Sequence, residues 1–303
     1  MPRSQADSAL AEAERHLAAG RSQQAREAFR RARLFFHRCA DTDGEAIVLV
    51  RLGEAELAAG HLASAKEALS DALALLSHET DPSARADALH LMGSLKNAEK
   101  NAPERDRLWA EAVSAHRDHG NKAGEARVLR DQAQVAKATG KDDLAFDLFS
   151  RAHRLYADLG HSFHEAMILL EIGQLHRAQG RADLAHDALE RAADLFRVNG
   201  DTLDEGRTRL TLARLLRDLG DKETALRDLT LCAKLFGANG HLGGQAEALI
   251  DLARLEAAKA PKAALKMLHQ ARALAARSGI PSLQTQAASE IARLDQAALK
   301  DTP

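Results

Sequence analysis

Glycine residues recur along this chain at a fixed interval of 40 residues. They form two series offset by 20 residues: Gly60, Gly140, Gly180 and Gly220, and Gly120, Gly160, Gly200 and Gly240. Between them, as in the stretch from Glu165 to Gly200, apolar residues fall at the spacing of an amphipathic helix. A fixed period of this length indicates a solenoid, because each repeat must stack on its neighbours to bury its apolar face. We therefore expect helix pairs joined by glycine turns.

The composition also favours helices over strands. Hydrophobic residues make up 45% of the chain but aromatic residues only 3%, so the core must consist mainly of Leu and Ala. Sheets depend on Val, Ile, Thr and aromatic residues, whereas Leu and Ala suit closely packed helices. Capping boxes at helix N-termini are predicted by Thr42 with Glu45, Ser162 with Glu165, and Thr202 with Glu205. Glycines that end helices are expected to be left-handed.

Small and large residues alternate in a constant register within the repeat. Small residues in the first helix are Ala13, Gly53, Gly93, Ala133, Gly173, Ala213 and Ala253. A second small position, in the second helix, is Ala25, Ala65, Ala145, Ala185, Ala225 and Ala264, with Arg105 as the exception. Four residues later stand Phe29, Leu69, Trp109, Phe149, Leu189, Leu229 and Leu268. Helices approach to about 8 Å only where their crossing residues are small, so the large residues should fill the space between repeats.

This register resembles the tetratricopeptide repeat. Leu169-x-x-Ile172-Gly173 followed by Ala185-x-x-x-Leu189 fits its pattern of large residue, Leu-Gly, then Ala-x-x-x-Phe. The usual period is about 34 residues, so the chain resembles a 40-residue variety. HEAT and armadillo arrays share the period but do not predict this register. The resemblance implies an all-α, right-handed superhelical solenoid of about seven helix-turn-helix repeats plus a C-terminal capping helix.

The expected repeats cover nearly the whole chain. They lie near residues 6–45, 46–85, 86–125, 126–165, 166–205, 206–245 and 246–279. Residues 280–303 should form the capping helix and tail, with Leu283, Ala287, Ile291, Leu294 and Ala298 on one face. The third repeat is the poorest copy, because it lacks the turn glycine and has Pro103 and Arg105. It is either a harmless variation or a bend in the array.

The resemblance implies that the first helices line a concave groove that binds a peptide segment of a partner protein. The ligand-binding residues expected on this basis are Arg127, Arg130, Gln134, Lys137, Gln174, Arg177, Arg207, Arg214, Arg217 and Arg254. The corresponding residues of the first two repeats are mostly apolar: Leu10, Glu14, Leu17, Ile47, Val50, Glu54 and Leu57. A groove with a basic half and an apolar half suits a partner segment that is acidic and carries hydrophobic anchors.

Other interpretations of these residues stay open. The arginines could be solvated and paired with Asp131, Glu171, Asp218 and Asp251, in which case they need bind nothing. The array could instead be a regulatory sensor whose superhelical shape responds to a small peptide or metabolite. The apolar inner face of the first two repeats could equally serve self-association.

Several function classes receive no support from the sequence. No phosphate loop, nucleophile elbow or cofactor fingerprint occurs, so we expect a non-enzymatic protein without cofactors. His116-x-x-His119 and His161-x-x-His164 lack the additional ligands of a familiar zinc site, so no metal is expected. A net charge of -2 and the absence of interleaved aromatics make nucleic acid an unfavourable partner. No apolar stretch is long enough for a signal peptide or membrane span, and a cytoplasmic protein with reduced Cys39 and Cys232 is expected.

Overall fold

The computed structural model describes residues 2–76 and 81–300, and the side chains of residues 3–76 and 81–297. Within these ranges every regular element is an α-helix, which confirms the expected all-α repeat solenoid. Ala298 of the predicted capping face and the tail residues 301–303 lie outside the described side chains. None of the described helices combines the length and the apolar character needed to cross a lipid bilayer.

The helices come in pairs whose starting residues repeat every 40 positions, except that α14 starts 39 residues after α12. The first helices are α1 Pro2–Ala18, α3 Thr42–Ala58, α5 Pro82–Ala98, α7 Lys122–Ala138, α9 Ser162–Ala178, α11 Thr202–Asp218 and α13 Leu242–Glu256. The second helices are α2 Ser22–Arg38, α4 Leu62–Leu75, α6 Ala102–Asp118, α8 Asp142–Asp158, α10 Ala182–Asn199, α12 Lys222–Ala238 and α14 Pro261–Ser278. A fifteenth helix, α15, spans Pro281–Lys300.

The turn glycines adopt the left-handed conformation that the repeat predicts. Gly120, Gly160 and Gly240 have φ values of 68°, 67° and 66°, where a side chain would be strained. Among the described residues, two with side chains share this conformation, Ala40 at φ 52° and Lys100 at φ 60°. Lys100 stands where the third repeat lacks its glycine, so the turn keeps its shape although the residue changes.

Two of the three predicted capping boxes are wrong by one residue, and at the third, Ser162 is the first residue of α9 while His161 before it makes no capping hydrogen bond. Thr42 and Thr202 are the first residues of their helices, and the residues that cap the N-termini are Asp41 and Asp201. Asp41 Oδ1 accepts a hydrogen bond from the backbone N–H of Gly44 at 3.0 Å, and Asp201 caps α11 in the same way. A carboxylate placed one residue earlier satisfies the free N–H group directly. Glu45 and Glu205 are therefore available for ion pairs elsewhere.

The close helix crossings occur where the small residues were predicted. A Cβ on Gly53 would lie 2.6 Å from Leu69 Cγ, and a Cβ on Gly93 would lie 2.4 Å from Trp109 Cδ1. Trp109 is 2% exposed and donates from Nε1 to the backbone oxygen of His90 at 3.1 Å. Arg105, the exception among the small residues, places its guanidinium 5.5 Å from the centroid of the Trp109 ring.

The chain forms two compact units, Met1–Leu155 and Tyr156–Pro303, here called the N-terminal and C-terminal units. In the N-terminal unit Phe29, Phe36 and Leu49 belong to one apolar core. In the C-terminal unit the core includes Phe236 and Leu268 and extends to α15. The residues of α15 buried in it are Leu283, Ala287, Ile291 and Leu294, as expected for a capping helix. The division of the chain into the seven stated repeats stays a prediction.

Candidate ligand face of the first helices

Three arginines of the C-terminal unit surround one buried carboxylate. Asp251 on α13 is 2% exposed. Its oxygens accept hydrogen bonds from Arg214 Nε at 2.7 Å and Arg254 Nη1 at 3.1 Å, and Arg217 Nη1 lies 3.6 Å away. Arg214 comes from α11 and so links two successive repeats. Burial alone would lower the pKa of Arg214, but the carboxylates of Asp251 and Glu247 raise it above its ordinary value.

The same face continues on α9 and α15 through further ion pairs. Asp218 accepts from Arg217 Nη2 at 2.7 Å and from Arg177 Nη2 of the preceding repeat at 3.3 Å. Burial would raise the pKa of Asp218, but the hydrogen bonds from these two guanidiniums hold it below its ordinary value. Arg254 Nε donates to Glu290 of α15 at 2.8 Å. We call Arg177, Arg214, Arg217 and Arg254 the arginine face.

The two remaining C-terminal residues of the predicted site lie on the same helices. Arg207 is exposed and donates from Nη1 to Asp204 Oδ1 at 2.7 Å, within its own helix. Gln174 is half-buried on α9, three residues before Arg177. The periodicity of a helix places residues three and four apart on one side, so both belong beside the arginine face.

The predicted residues of the N-terminal unit form a separate set on α7. Arg127 pairs with Asp87 of the preceding repeat. Arg130 donates to Asp131 Oδ1 at 2.9 Å, and His90 Nε2 lies 2.8 Å from the other oxygen of Asp131. Gln134 is exposed and Lys137 is half-buried on the same helix.

The ion pairs decide how the arginines are held. Each of the seven predicted arginines has a carboxylate partner, and in the arginine face several of these carboxylates come from a neighbouring repeat. The pairing that the sequence offered as an alternative to ligand binding is therefore present. The side chains of the arginine face nevertheless stay 31–36% exposed. Whether they bind a ligand stays a prediction.

The apolar residues predicted for the first two repeats are only partly accessible. Leu17 is 41% exposed and Ile47 is 38% exposed, whereas Val50 is 6% exposed and belongs to the core. Arg51 lies 3.2 Å from Glu54 and 4.0 Å from Glu14, so the two acids of this set have a cationic neighbour.

Comparison with known proteins identifies the repeat. The family model of the tetratricopeptide repeat matches residues 164–237, which hold α10, α11 and most of α9 and α12. Residues 164–237 therefore form tetratricopeptide repeats. A comparison with curated proteins found no match.

Solved structures share the fold of these tetratricopeptide repeats at low sequence identity. The structure of pilF from Pseudomonas aeruginosa is 20% identical, with a TM-score of 0.60 over 81% of this chain and 99% of that chain. Aspartyl phosphate phosphatase F from Bacillus subtilis is 14% identical, with a TM-score of 0.65 over 89% of this chain and 70% of that chain. Yeast Tom70 is 17% identical, with a TM-score of 0.55 over 92% of this chain and 61% of that chain. The tetratricopeptide fold supports a general role as a protein-interaction scaffold.

Some charged residues of the N-terminal unit were not predicted as part of any site. Glu45 and Glu56 are buried on the side of α3 that faces α2 and α4, and both pair with arginines of α2. The signal in the sequence was the basic run of α2 from Arg26 to Arg38. Among the described residues, no three His, Cys, Asp or Glu side chains are placed to hold a metal ion.

Proposed function

We propose that the protein is a non-enzymatic interaction scaffold whose arginine face binds an acidic peptide segment of a partner protein. The observation that carries the proposal is the convergence of Arg214, Arg217 and Arg254 on the buried Asp251. A guanidinium has five N–H donors, and each of these arginines commits only part of that set to its protein partners. The remaining donors are available to carboxylates and carbonyl oxygens of a ligand.

The ion pairs favour binding because they fix the arginines before a ligand arrives. A free arginine side chain loses up to about 2 kcal/mol of rotamer entropy when it is immobilised. Arg214 is already held at two nitrogens, by Asp251 and Glu247. A ligand that binds this face therefore loses less free energy to side-chain ordering than it would with mobile arginines.

The proposal is tested by titrating fluorescent peptides of equal length that are rich in Glu, neutral, or rich in Lys. We expect the Glu-rich peptide to bind most tightly and its affinity to fall as salt is raised. The double variant Arg214→Gln, Arg217→Gln should lower the affinity for the Glu-rich peptide by about tenfold or more, since charge-assisted hydrogen bonds contribute about 1.5–3 kcal/mol each.

The matched control is Arg227→Gln, which removes an exposed arginine from α12 of the same unit. It should bind the Glu-rich peptide as the unchanged protein does, and thermal unfolding should show that all variants fold. Equal affinity for the three peptides, or an affinity that the double variant leaves unchanged, would rule out the arginine face as the site.

A sensor role is a second candidate, favoured by ion pairs that join successive repeats. Arg177 with Asp218 and Arg214 with Asp251 connect first helices of neighbouring repeats. A small anionic ligand that took over one of these arginines would change the contact between those repeats. X-ray scattering of the protein with and without small molecules from a cell extract should then differ, and superimposable profiles would contradict the sensor.

A further inference from the structure

A crevice of about 570 Å³ lies between α2, α3 and α4 in the N-terminal unit. We call it the outer crevice, and the residues that concern its chemistry are Arg30, Arg33, Leu34, Glu45, Leu52, Glu56 and Glu67. On α3 it uses the side opposite to Ile47, Val50 and Leu57, because 100° per residue places positions 45, 52 and 56 about half a turn away from these. The outer crevice is thus separate from the face predicted for peptide binding.

Three carboxylates line the outer crevice: Glu45 and Glu56 are buried and already satisfied, and Glu67 of α4 is exposed. Glu56 is 0% exposed, and its oxygens lie 2.7 Å from Arg30 Nη2 and 2.8 Å from His61 Nδ1. Glu45 is 7% exposed, and its oxygens lie 3.3 Å from Arg33 Nε and 2.9 Å from His37 Nδ1. All four oxygens of Glu45 and Glu56 have partners, so a cationic ligand would have to displace one of these groups to reach either buried carboxylate.

The two arginines, in contrast, retain donors at the mouth. The side chain of Arg30 is 57% exposed and contacts Glu56 through one nitrogen. Arg33 is 36% exposed and contacts Glu45 and Asp71 through Nε and Nη2. Beside them on α2, Leu34 is 56% exposed. Two guanidiniums next to an exposed leucine form a surface for an anionic group that carries an apolar chain.

We propose that the outer crevice binds a carboxylate attached to a short branched apolar chain. The carboxylate would accept hydrogen bonds from the outward N–H groups of Arg30 and Arg33, and the chain would pack against Leu34 and Leu52. A planar guanidinium matches a carboxylate better than an ammonium does. Two sources share this chemistry: a free branched carboxylic acid, and the C-terminus of a polypeptide that ends in leucine.

A second crevice shows which part of this site comes from the fold and which from the sequence. It lies between α12, α13 and α14, at the equivalent place in the C-terminal unit, and has a volume of about 450 Å³. Thr230 and Ala233 stand there at the positions of Arg30 and Arg33, and Lys234 stands at the position of Leu34. The stacking of repeats therefore produces the space in both crevices. Of the two, the outer crevice is the one that carries the arginine pair and the exposed leucine.

The test is isothermal titration calorimetry of the full chain with three probes. These are 4-methylpentanoate, the tripeptide N-acetyl-Ala-Ala-Leu with a free carboxylate, and the same tripeptide as its C-terminal amide. We expect saturable binding of at least one carboxylate probe with a Kd below about 1 mM, and binding of the amide that is weaker by about tenfold or more. Binding of 4-methylpentanoate as tight as that of the tripeptide assigns the free acid, whereas binding of the tripeptide alone assigns a polypeptide C-terminus.

Two variants and one control locate the binding. Arg30→Gln together with Arg33→Gln should lower the affinity for the carboxylate probe by about tenfold or more. Leu34→Asp removes none of the ion-pairing residues and should also abolish binding, because it adds a negative charge at the exposed mouth, one helical turn from Arg30. Arg31→Gln, on the same helix and 56% exposed but outside the crevice, should bind as the unchanged protein does.

Absence of binding at millimolar carboxylate, equal binding of the amide, or unchanged binding by Leu34→Asp would each overturn the proposal. The Glu-rich peptide of the arginine face serves to separate the two sites. Leu34→Asp should leave the affinity for the Glu-rich peptide unaltered. Arg214→Gln with Arg217→Gln should leave the affinity for the carboxylate probes unaltered.

Discussion

His116 occupies a position at which other repeats bury Phe36, Tyr156, Phe196 and Phe236. Its side chain is 0% exposed, neither ring nitrogen makes a hydrogen bond, and Nε2 lies 3.5 Å from Asp87 Oδ1. Burial, with smaller effects from the charges of Arg127 and His90, lowers the pKa of His116 to about 4. The ring is therefore a neutral packing group at neutral pH, and the histidine that the sequence singled out as a possible metal ligand instead fills a core position.

Acid should destabilise the fold through this residue. The unfolded chain binds a proton at His116 below about pH 6.5, whereas the folded chain binds it only near pH 4. The free energy of unfolding contributed by this group should fall as the pH drops from 6.5 to 4, by up to about 3 kcal/mol. His116→Phe should remove that part of the pH dependence, as measured by urea unfolding at pH 4.5 and 7.

The phenylalanine should fit, because Gly124 leaves room for the ring as Gly44 does for Phe36. A Cβ on either glycine would lie within 2.4 Å of the ring opposite. At pH 7 the variant should be as stable as the unchanged protein or more so, since an apolar ring leaves no nitrogen unsatisfied. A pH dependence that is the same in both proteins would show that His116 is not the group responsible.

At the scale of helices, the crossing of α9 and α10 depends on the absence of a side chain at Gly173. A Cβ there would lie 2.7 Å from Leu189 Cγ and 3.4 Å from the backbone oxygen of Ala185. Gly173→Ala should cost about 1–3 kcal/mol through overpacking, and Leu189→Ala about 2–5 kcal/mol through the cavity it leaves. Both values are measured by chemical unfolding.

The double variant Gly173→Ala, Leu189→Ala tests the contact itself. The new methyl group would occupy part of the space vacated by Leu189. The double variant should therefore lose less stability than the two single variants lose when their costs are added. Ala185→Leu, at the same crossing, should be destabilising by about 1–3 kcal/mol. Additive costs of Gly173→Ala and Leu189→Ala would mean that the helices meet elsewhere.

These crossings could be predicted because they repeat every 40 residues, so that each copy corroborates the others. The N-terminal caps were placed one residue too late, since Asp41 and Thr42 are both good capping residues and only the helix start decides between them. The sequence named Asp218 and Asp251 as possible partners of the arginines, but it could not show which arginine meets which carboxylate across repeats, because Arg214 and Asp251 are 37 residues apart and meet only through the stacking of repeats. For the same reason the outer crevice was missed, although its arginines lie on one helix.

At the scale of the whole molecule, stability in a repeat array is expected to be a sum of local terms. Trp109 is the only tryptophan, and its burial in the N-terminal unit makes its fluorescence a local probe. Its emission should be blue-shifted in the folded protein and shift to the red on unfolding, whereas circular dichroism reports all the helices. Leu189→Ala, which lies in the C-terminal unit, should therefore lower the urea midpoint seen by circular dichroism more than the midpoint seen by Trp109.

This separation follows from the range of the contacts, because each repeat contacts its neighbours and gains no direct stabilisation from distant ones. The matched variant Leu69→Ala removes the equivalent leucine from the N-terminal unit, where Leu69 is fully buried against Gly53. It should lower the Trp109 midpoint more than Leu189→Ala does. If both variants shifted both midpoints equally, the chain would unfold as one cooperative body, and the local account of its stability would have to be abandoned.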